Sequence, residues 1–468
     1  MNKKLLLLSI TVLLCGCQGP AIGTLADYRG FEGMELGRNY GSLSDVPTYR
    51  TYLNGFKDAR ASNKVLEIPL GNIWTESDLV DYADREAVLS DKSNDSIEFT
   101  IIIEESALYQ IEIDYYLLPG YSNSARRVLY IDGEAPFVES GDLVFYRYFK
   151  DAYDPIINSL GDETRPSQVE IPGWRTASLT DTSGLHLQPF SFYLEEGAHT
   201  IRLEHTQVDM YISGIRLKAP EQIKSYQQVQ AEYKAKGYRS VQSEEIVFQA
   251  ESYAIEKNDP TLRREADGDP LVQPASTTTR KLNVMGGWRW RKGNQSITWE
   301  FTVPQDGLYK VALYVKQQWS GGLPSFRQIA IDGRVPFEEL MNYKFEYDTR
   351  WKLHVLGDSD SQYEFYLTRG KHTITMTTKF GPISEIIESI NIDTQVLSDA
   401  VLSITMLAGS TPDPNYDYRF FDRLPELKEM LEYLSNSMVH KYWLVSAFTD
   451  GNNAMANNFL TIRAQLEN

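Results

Sequence analysis

The sequence predicts a mainly β protein in which two tandem antiparallel β-sandwich domains are followed by an α-helical C-terminal segment. Three observations support this prediction. The chain repeats itself at an offset of 200 residues, each copy shows alternating hydrophobicity, and the hydrophobic period changes after Phe380. A repeat of roughly 150 residues is typical of tandem domains and far too long for a solenoid. We therefore assign residues 61–220 and 244–382 to the sandwiches, 221–243 to a helical linker and 383–468 to the helical segment.

The duplication is carried by short motifs that match without a gap. The matched pairs include Ile131-Asp132-Gly133 with Ile331-Asp332-Gly333 and Pro136-Phe137 with Pro336-Phe337. At Trp174 and Trp351 the offset has fallen to 177, so copy one carries about 23 additional residues before its tryptophan. This additional loop contains Tyr146 and Arg165. Such a loop either covers a binding site or packs against the neighbouring domain, and the sequence leaves both possibilities open.

The first 17 residues have the organisation of a secretory signal. Lys3 precedes an apolar run, Leu5 to Leu14, that is too short to cross a bilayer stably. The ending Leu14-Cys15-Gly16-Cys17 resembles a bacterial lipobox, which implies cleavage before Cys17 and acylation of its thiol. An ordinary signal peptide or a membrane anchor is the alternative. Residues 18–60 are predicted to be a spacer with one short helix.

The composition restricts the class of partner. The chain has 46 basic and 64 acidic residues, and its net charge is −18. A surface this acidic argues against nucleic acid and against electrostatic docking on anionic lipid, and it suits an exposed protein that meets neutral ligands. The aromatic content is high at 12%, with 29 tyrosines.

Period-two alternation predicts the strands of each copy. Ile97, Phe99, Ile101 and Ile103 alternate with mostly polar neighbours, as do Ile297, Trp299, Phe301 and Val303. This pattern is typical of antiparallel strands with one face on a core, so Trp299 is predicted to be structural. The Asp-Gly pairs of both copies predict tight turns between strands.

The hydrophobic period becomes helical after Phe380. Apolar residues follow a three-four spacing from Ile383 to Ala408, and Gly409 then ends the pattern. Pro425 is predicted to begin a second helix, and Asp450 or Asn452 to cap a third. These helices make up the C-terminal segment.

The sequence shows no catalytic constellation. His199 and His372 occupy equivalent strand positions, which favours a structural role for both. The chain has no zinc or calcium ligand spacing, no Gly-x-Ser-x-Gly elbow and no phosphate-binding glycine loop. We therefore predict a protein that is not an enzyme and has no cofactor.

Tryptophans in loops are the strongest candidates for ligand contact. Trp288, Arg289, Trp290 and Asn294 lie just before the first clear strand of copy two. If this segment is extended, the two tryptophans share a face. A sugar ring packs its C–H face on such rings, and its hydroxyls accept directed hydrogen bonds. The alternative is that both tryptophans close one end of the sandwich.

Other candidates are weaker. Trp319 lies in a loop after a strand, and ligand contact and a structural role are equally open there. Trp174 and Trp351 recur in both copies, which favours a structural role. Tyr146 and Arg165 would contact a ligand only if the additional loop of copy one covers a binding site.

Two segments of copy two resemble carbohydrate-binding modules of the galactose-binding-like superfamily. They are Val247-Phe248-Gln249-Ala250-Glu251-Ser252-Tyr253 and Asp306-Gly307-Leu308-Tyr309. The resemblance implies a jelly-roll sandwich and a structural calcium held by Glu251 and an acid on the last strand. The chain turns helical after Phe380, so the second acid is not evident.

The whole chain also resembles the front half of large solute-binding lipoproteins of Gram-positive sugar ABC importers. The matching stretches are Arg165-Pro166-Ser167-Gln168-Val169-Glu170, Ile331-Asp332-Gly333-Arg334-Val335-Pro336-Phe337 and Val355-Leu356-Gly357-Asp358. The resemblance implies a lipid-anchored protein on the outer face of the cytoplasmic membrane that captures oligo- or polysaccharide beside ABC permease components. A structural spacer that binds no sugar and an accessory module of a glycan-degrading assembly are the alternatives.

Overall fold

A computed structural model describes residues 46–74, 78–93, 96–242, 245–319, 321–449 and 453–467. The predicted signal segment with Cys17, most of the predicted spacer, and Asp450 and Asn452 lie outside these residues. Residues 44–384 form one compact unit that contains both sandwiches, and the helical segment from Glu385 onward belongs to another. The predicted order of two antiparallel sandwiches and a helical segment is confirmed.

Copy one begins with helix α1 (Tyr49–Gly55). Its strands are β1 (Leu66–Ile68), β2 (Ile73–Trp74), β3 (Leu79–Tyr82), β4 (Arg85–Ser90), β5 (Ser96–Ile103), β6 (Ala107–Leu117), β7 (Ala125–Ile131), β8 (Leu143–Phe145), β9 (Phe149–Asp151), β10 (Ile156–Ile157), β11 (Glu163–Thr164), β12 (Gln168–Glu170), β13 (Arg175–Ser178), β14 (Ser191–Leu194), β15 (Gly197–Gln207) and β16 (Met210–Lys218). We call this domain sandwich one.

Copy two begins with helix α2 (Tyr226–Ala235) and a short helix α3 (Ala250–Tyr253). Its strands are β17 (Ala254–Lys257), β18 (Arg264–Glu265), β19 (Val284–Met285), β20 (Ser296–Val303), β21 (Gly307–Lys310), β22 (Ala312–Gln317), β23 (Ser325–Ile331), β24 (Tyr343–Phe345), β25 (Asp348–Val355), β26 (Glu364–Leu367) and β27 (Gly370–Lys379). We call this domain sandwich two.

Sandwich one has two antiparallel layers around one core. One layer has the order β2-β5-β15-β7-β8, and the other has the order β13-β6-β16-β4-β3, with β14 also paired to β6 and β1 to β16. The alternating residues that the sequence assigned to the core are buried: Phe99 is 1% exposed and Ile113 is 0% exposed. One buried face on each layer is what the period-two pattern predicts.

In sandwich two, the first layer has the matching order β17-β20-β27-β23-β24. At β17 this sheet continues into β9 and β12, which belong to the additional loop of copy one. The additional loop therefore packs against the neighbouring domain and contributes two strands to its sheet. The second layer is smaller, because β21 pairs only with β26 and β22 only with β25 among the described strands.

The two helices that precede the sandwiches are equivalent parts of them. Tyr49 in α1 is buried, and its hydroxyl accepts a hydrogen bond from the Ser191 N–H at 2.9 Å. Tyr226 in α2 is buried in the core of sandwich two, and its hydroxyl accepts from the Glu364 N–H at 3.0 Å. Helix α2, in the segment predicted to be a helical linker, thus contributes Tyr226 and Val229 to the core of sandwich two.

The equivalent histidines have the predicted structural role. His199 Nδ1 lies 2.7 Å from Asp132 Oδ2, and His372 Nδ1 lies 2.7 Å from Asp332 Oδ2. In each case the other ring nitrogen bonds a backbone carbonyl. Asp132 and Asp332 have φ of 52° and 49° in the predicted Asp-Gly turns. Each histidine therefore fastens the Asp-Gly turn to a neighbouring strand, β15 in sandwich one and β27 in sandwich two.

The helical segment contains α4 (Ile383–Ala408), α5 (Phe420–Arg423), α6 (Pro425–Phe448) and α7 (Ala454–Leu466). Gly409 ends α4 and Pro425 begins α6, as predicted. A buried ion pair of 2.6 Å between Asp393 and Lys441 holds α4 to α6. Among the described residues, no helix combines the length and the apolarity that crossing a membrane would require.

Candidate functional site

Trp290 is a structural residue of sandwich two. Its ring is half-buried against the core, and its Nε1 donates to the Gln295 carbonyl at 3.1 Å. The Arg327 guanidinium lies 4.5 Å from the ring centroid. Burial removes water from the guanidinium and lowers the pKa of Arg327 to about 10. The possibility that this tryptophan closes the end of the sandwich fits these contacts.

Trp288 is 44% exposed, but two guanidinium groups approach its ring. Arg289 and Arg291 lie 4.9 Å and 4.6 Å from the ring centroid. The backbone forms a 3₁₀ turn at Gly287–Arg289, so Trp288 and Trp290 do not share the face expected for an extended segment. The turn forms because Gly286 and Gly287 adopt φ of 97° and 57°, which favours glycine.

Three further candidates lie at the contact between the sandwiches. Asn294 is 6% exposed, and its amide donates to the Asp181 carbonyl while Lys379 Nζ donates to its Oδ1 at 2.8 Å. Arg165 forms an ion pair with Glu265. Burial raises the pKa of Tyr146, whose carbonyl accepts from the Tyr115 hydroxyl at 2.8 Å. These side chains are committed to protein contacts.

The central ion cluster of this contact joins the additional loop to β17. Asp151 lies 2.6 Å from Lys257 Nζ and 2.8 Å from Arg264 Nε, and the Lys257 side chain is 1% exposed. Burial would raise the pKa of Asp151, but hydrogen bonds from Lys257 and Gln168 outweigh it and lower the pKa. We call Asp151, Lys257 and Arg264 the joint cluster.

Trp174 in sandwich one is also engaged. Its Nε1 donates to the Ala83 carbonyl at 2.9 Å, and its ring meets the edge of Tyr116 at 5.5 Å. The Arg85 guanidinium lies 5.3 Å from the ring centroid. These contacts hold the β3–β4 turn against β6 and support the structural role that its recurrence favours.

Trp351 and Tyr314 form an open aromatic surface on sandwich two. Their rings are stacked at 5.7 Å with an interplanar angle of 18°. Tyr314 is 42% exposed, and Leu353, which pairs with Tyr314 across β22 and β25, is 67% exposed. We call Tyr314, Trp351 and Leu353 the aromatic face.

Polar groups border the aromatic face. Asp267 Oδ2 accepts from Trp351 Nε1 at 3.0 Å and from Lys316 Nζ at 2.5 Å. Lys316 Nζ lies 5.1 Å from the Trp351 ring centroid. Burial would raise the pKa of Asp267, but these hydrogen bonds outweigh it and lower the pKa, so the carboxylate stays charged. Trp319 is 50% exposed in the loop directly after β22.

The same surface of sandwich one is a closed ionic network. Asp114 is the counterpart of Tyr314 at the offset of 200 residues, and it accepts two hydrogen bonds from Arg216 at 2.7 Å and 2.9 Å. Thr176 also donates to Asp114. Glu112 bonds both Arg216 and Lys218. The Tyr314 position of sandwich two is therefore occupied by a paired charge in sandwich one, where Trp174, Tyr116, Tyr82 and Tyr211 make the aromatic contacts of this layer.

The sequence analysis missed Tyr314. Leu313 and Val315 alternate towards the core, so Tyr314 faces outward on the same strand. A large aromatic residue at an outward position of a strand was the signal that could have identified it. Trp351 recurs in both copies, and this recurrence favoured a structural role. Its stacking on the exposed Tyr314 was therefore not predicted.

The residues around Glu251 do not fit the calcium site that the resemblance implied. Burial raises the pKa of Glu251, which disfavours the charged form that binds a cation. No group of three or more His, Cys, Asp or Glu side chains within the described ranges is placed to hold a metal ion. We therefore assign no metal to this position.

Comparison with solved structures finds similarity to family 35 carbohydrate-binding modules. A module from an environmental isolate is 13% identical with a TM-score of 0.20, and the match covers 33% of this chain and 92% of that chain. The module from Paenibacillus barcinonensis is 13% identical with a TM-score of 0.20, and the match covers 34% of this chain and 99% of that one.

A third similar structure is the GH26-CBM35 β-(1,4)-mannanase of Podospora anserina. It is 15% identical with a TM-score of 0.19, and the match covers 35% of this chain but only 28% of the mannanase chain. No family model matches the chain, and comparison with curated protein sequences gives no match.

Proposed function

We propose that this protein binds an oligo- or polysaccharide on the aromatic face of sandwich two and does not cleave it. The observation that carries the proposal is the stacked, outward pair of Tyr314 and Trp351 on a regular sheet. A sugar ring packs its C–H face on such a surface, and the bordering groups orient its hydroxyls.

The polar border has both kinds of hydrogen-bonding group that a sugar needs. Asp267 is an acceptor at the Trp351 indole nitrogen, and Lys316 is a donor whose Nζ lies over the Trp351 ring. Since each already bonds the other, a sugar hydroxyl would share an existing network rather than require new charge burial. The open sheet surface suits an extended chain of sugars better than a small molecule that needs an enclosing cleft.

The proposed setting is the outer face of the cytoplasmic membrane. The Leu14-Cys15-Gly16-Cys17 ending and the resemblance to sugar-importer lipoproteins support a lipid anchor at Cys17 and a position beside permease components. The acidic composition, with a net charge of −18, supports a neutral glycan as the ligand. In this proposal the two sandwiches present the captured glycan away from the membrane.

A structural spacer is the second candidate, and the two strands that copy one adds to the sheet of sandwich two favour it. Strands β12 and β9 extend the β17 layer, and the joint cluster is buried within this contact. A rigid pair of domains is what a spacer would need. Glycan binding would depend on Tyr314, whereas the spacer role would not, because Tyr314 is not part of the joint cluster.

The test measures retention of the full chain by a panel of neutral polysaccharides in affinity electrophoresis. Tyr314→Ala is expected to weaken retention about tenfold, because the exposed ring contributes stacking and little to the core. Tyr121→Ala is the matched control, since Tyr121 is a 48% exposed tyrosine of sandwich one. Retention by no polysaccharide, or equal retention of both variants, would assign the spacer role instead. Release of soluble sugar from the gel would contradict binding without cleavage.

A further inference from the structure

We propose that sandwich two is completed by one β-strand of a partner polypeptide, which adds antiparallel to the free edge of β22. This inference is separate from the glycan proposal, because it concerns the edge of the sheet and not its outer face. It rests on a comparison of the two copies strand by strand.

In sandwich one, β16 fills the position in question. It lies between β6 and β4, pairing Ile212 with Tyr115 on one side and with Val88 on the other. Four of its side chains enter the core. They are Met210, Ile212, Ile215 and Leu217, each 2% exposed or less. The strand is therefore a central member of its layer.

Within the described part of the chain, sandwich two has the neighbours of this strand but not the strand itself. The chain turns into α4 after β27, where copy one continues from β15 into β16. In sandwich one, Arg127 Nη2 donates to the Ser90 carbonyl of β4 at 2.9 Å. Its counterpart Arg327 Nη2 donates to the Trp290 carbonyl at 3.4 Å. The segment around Trp290 thus occupies the place of β4, on the far side of the position that lacks a strand.

The backbone of β22 offers hydrogen-bonding groups towards this position. The Val311 carbonyl accepts from the Leu356 N–H at 2.9 Å, on the side of β25. Since backbone groups alternate in direction along a strand, those of Ala312 and Tyr314 point to the other side. No backbone partner for these groups is found among the described residues. Such an edge is a template for strand addition.

The core of sandwich two is open along the same edge. Ile113 and Tyr115 of β6 are 0% and 2% exposed, whereas their counterparts Leu313 and Val315 are only partly buried. Val247 is 75% exposed in the segment that follows the parallel bridge of Ser240 to Leu308. In sandwich one the segment that follows the matching bridge forms β1 and is covered by β16. One missing strand accounts for both exposures.

A single partner strand fits this position better than a second copy of the chain. The β22 strand of a second copy would keep its own Leu313 and Val315 directed to its own core, so it could not fill this one. The position is also bounded on the far side by the segment around Trp290, as β4 bounds β16 in sandwich one. The partner segment should therefore be apolar at alternate residues, as β16 is.

The expected partner strand differs from β16 at the position of Lys218. Lys218 of β16 faces Gln110 in sandwich one. The counterpart of Gln110 is Lys310, which is exposed and donates to Gln362 at 2.8 Å. An acidic residue should therefore replace the lysine at this position of the partner strand, because like charges directly opposite each other destabilise a pair.

The experiment uses the full chain and a fluorescent peptide with the sequence of residues 209–218 carrying Lys218→Glu. Anisotropy is expected to show saturable binding. A control peptide with Ile212→Asp and Ile215→Asp should bind at least about tenfold more weakly. Ala312→Pro removes an edge N–H and should weaken binding by a similar factor, whereas the matched variant Ala312→Ser retains it.

A second readout does not depend on the folding of the proline variant. In the wild-type chain, the peptide should slow hydrogen exchange of the Ala312 and Tyr314 amides. Absence of peptide binding, or equal binding of the control peptide, would overturn the proposal. A concentration-dependent dimer that Ala312→Pro abolishes and the peptide fails to dissociate would assign the edge to a second copy and overturn it as well.

Discussion

Sandwich one and sandwich two are copies of one domain, yet only the first is closed. In sandwich one, β6 has strands on both sides, and its outer face carries Asp114 in a network with Arg216. In sandwich two, β22 has a strand on one side, and its outer face carries Tyr314 stacked on Trp351. The duplication thus gives two arrangements: β6 is paired along both edges, whereas β22 is paired along one edge among the described strands.

The two copies also contribute differently to the contact between them. The additional loop of copy one supplies β9 and β12 to the sheet of copy two, so the closed sandwich supports the open one. We infer that the incomplete layer of sandwich two is tolerated because its other layer is extended and anchored by the joint cluster.

The largest expected effect comes from breaking the joint cluster. Asp151→Ala leaves Lys257 and Arg264 buried without their carboxylate, and we expect a loss of about 3–5 kcal/mol in the free energy of unfolding. Calorimetry should show one transition for both sandwiches in the wild type and two in the variant. Glu105→Ala, which removes an exposed ion pair with Arg60, is the control and should cost less than about 1 kcal/mol. Independent transitions in the wild type would refute the support of one sandwich by the other.

The next effect compares two equivalent arginines. Arg127 makes five hydrogen bonds to acceptors in β4, β7 and the β15–β16 turn, whereas Arg327 makes two. Burial lowers the pKa of each to about 10. We expect Arg127→Met to cost about 3 kcal/mol and Arg327→Met about 1 kcal/mol in urea denaturation, since fewer carbonyls lose a partner. Equal costs would mean that the missing strand does not alter this position.

The equivalent tryptophans sharpen the comparison of the outer faces. Trp174→Ala and Trp351→Ala should each lower stability by about 2 kcal/mol, because both half-buried rings hold a turn against the sheet. Only Trp351→Ala should also reduce polysaccharide retention at a temperature where both variants are folded. A loss of retention in the Trp174 variant alone would place the binding surface on sandwich one.

The smallest effect is expected where the copies agree. Burial lowers the pKa of His199 and His372, but the hydrogen bonds that each ring makes to an aspartate and a backbone carbonyl outweigh this and raise the pKa. A raised folded pKa adds stability that is fully present below the unfolded pKa of about 6.5 and is lost as the pH rises through the folded pKa.

In wild type, the two histidines should make the free energy of unfolding larger at about pH 6 than at about pH 8. The double variant His199→Gln and His372→Gln should lack this difference. The urea midpoint at both pH values measures this. Each single variant should remove a similar share, because both rings have the same partners. A pH dependence that survives in the double variant would contradict this origin.

The sequence predicted the layers well because alternation and duplication are local signals. Phe99 and Trp299 are buried as their periodicity indicated, and Gly409 and Pro425 end and begin helices where they were expected to. Helices α1 and α2 were placed in a spacer and a linker, since one buried tyrosine per helix produces no period. The strand that sandwich two lacks could have been inferred from the change of period after Phe380.

The candidate site was predicted less well. Asn294, Arg165 and Tyr146 have the chemistry of sugar contacts, but they face the other sandwich, and which loops meet between domains is not a local property. Gly293 approaches so closely that a Cβ there would lie 1.6 Å from the Ser183 carbonyl oxygen. Trp351 was named, but its partner Tyr314 was not.

The most direct measurement is hydrogen exchange of matched backbone amides in the two sandwiches. We predict slow exchange at Glu112 and Asp114, which β16 covers, and fast exchange at Ala312 and Tyr314 in the chain without a partner. Equal protection at both pairs would show that sandwich two is as closed as sandwich one and would contradict the difference between the copies.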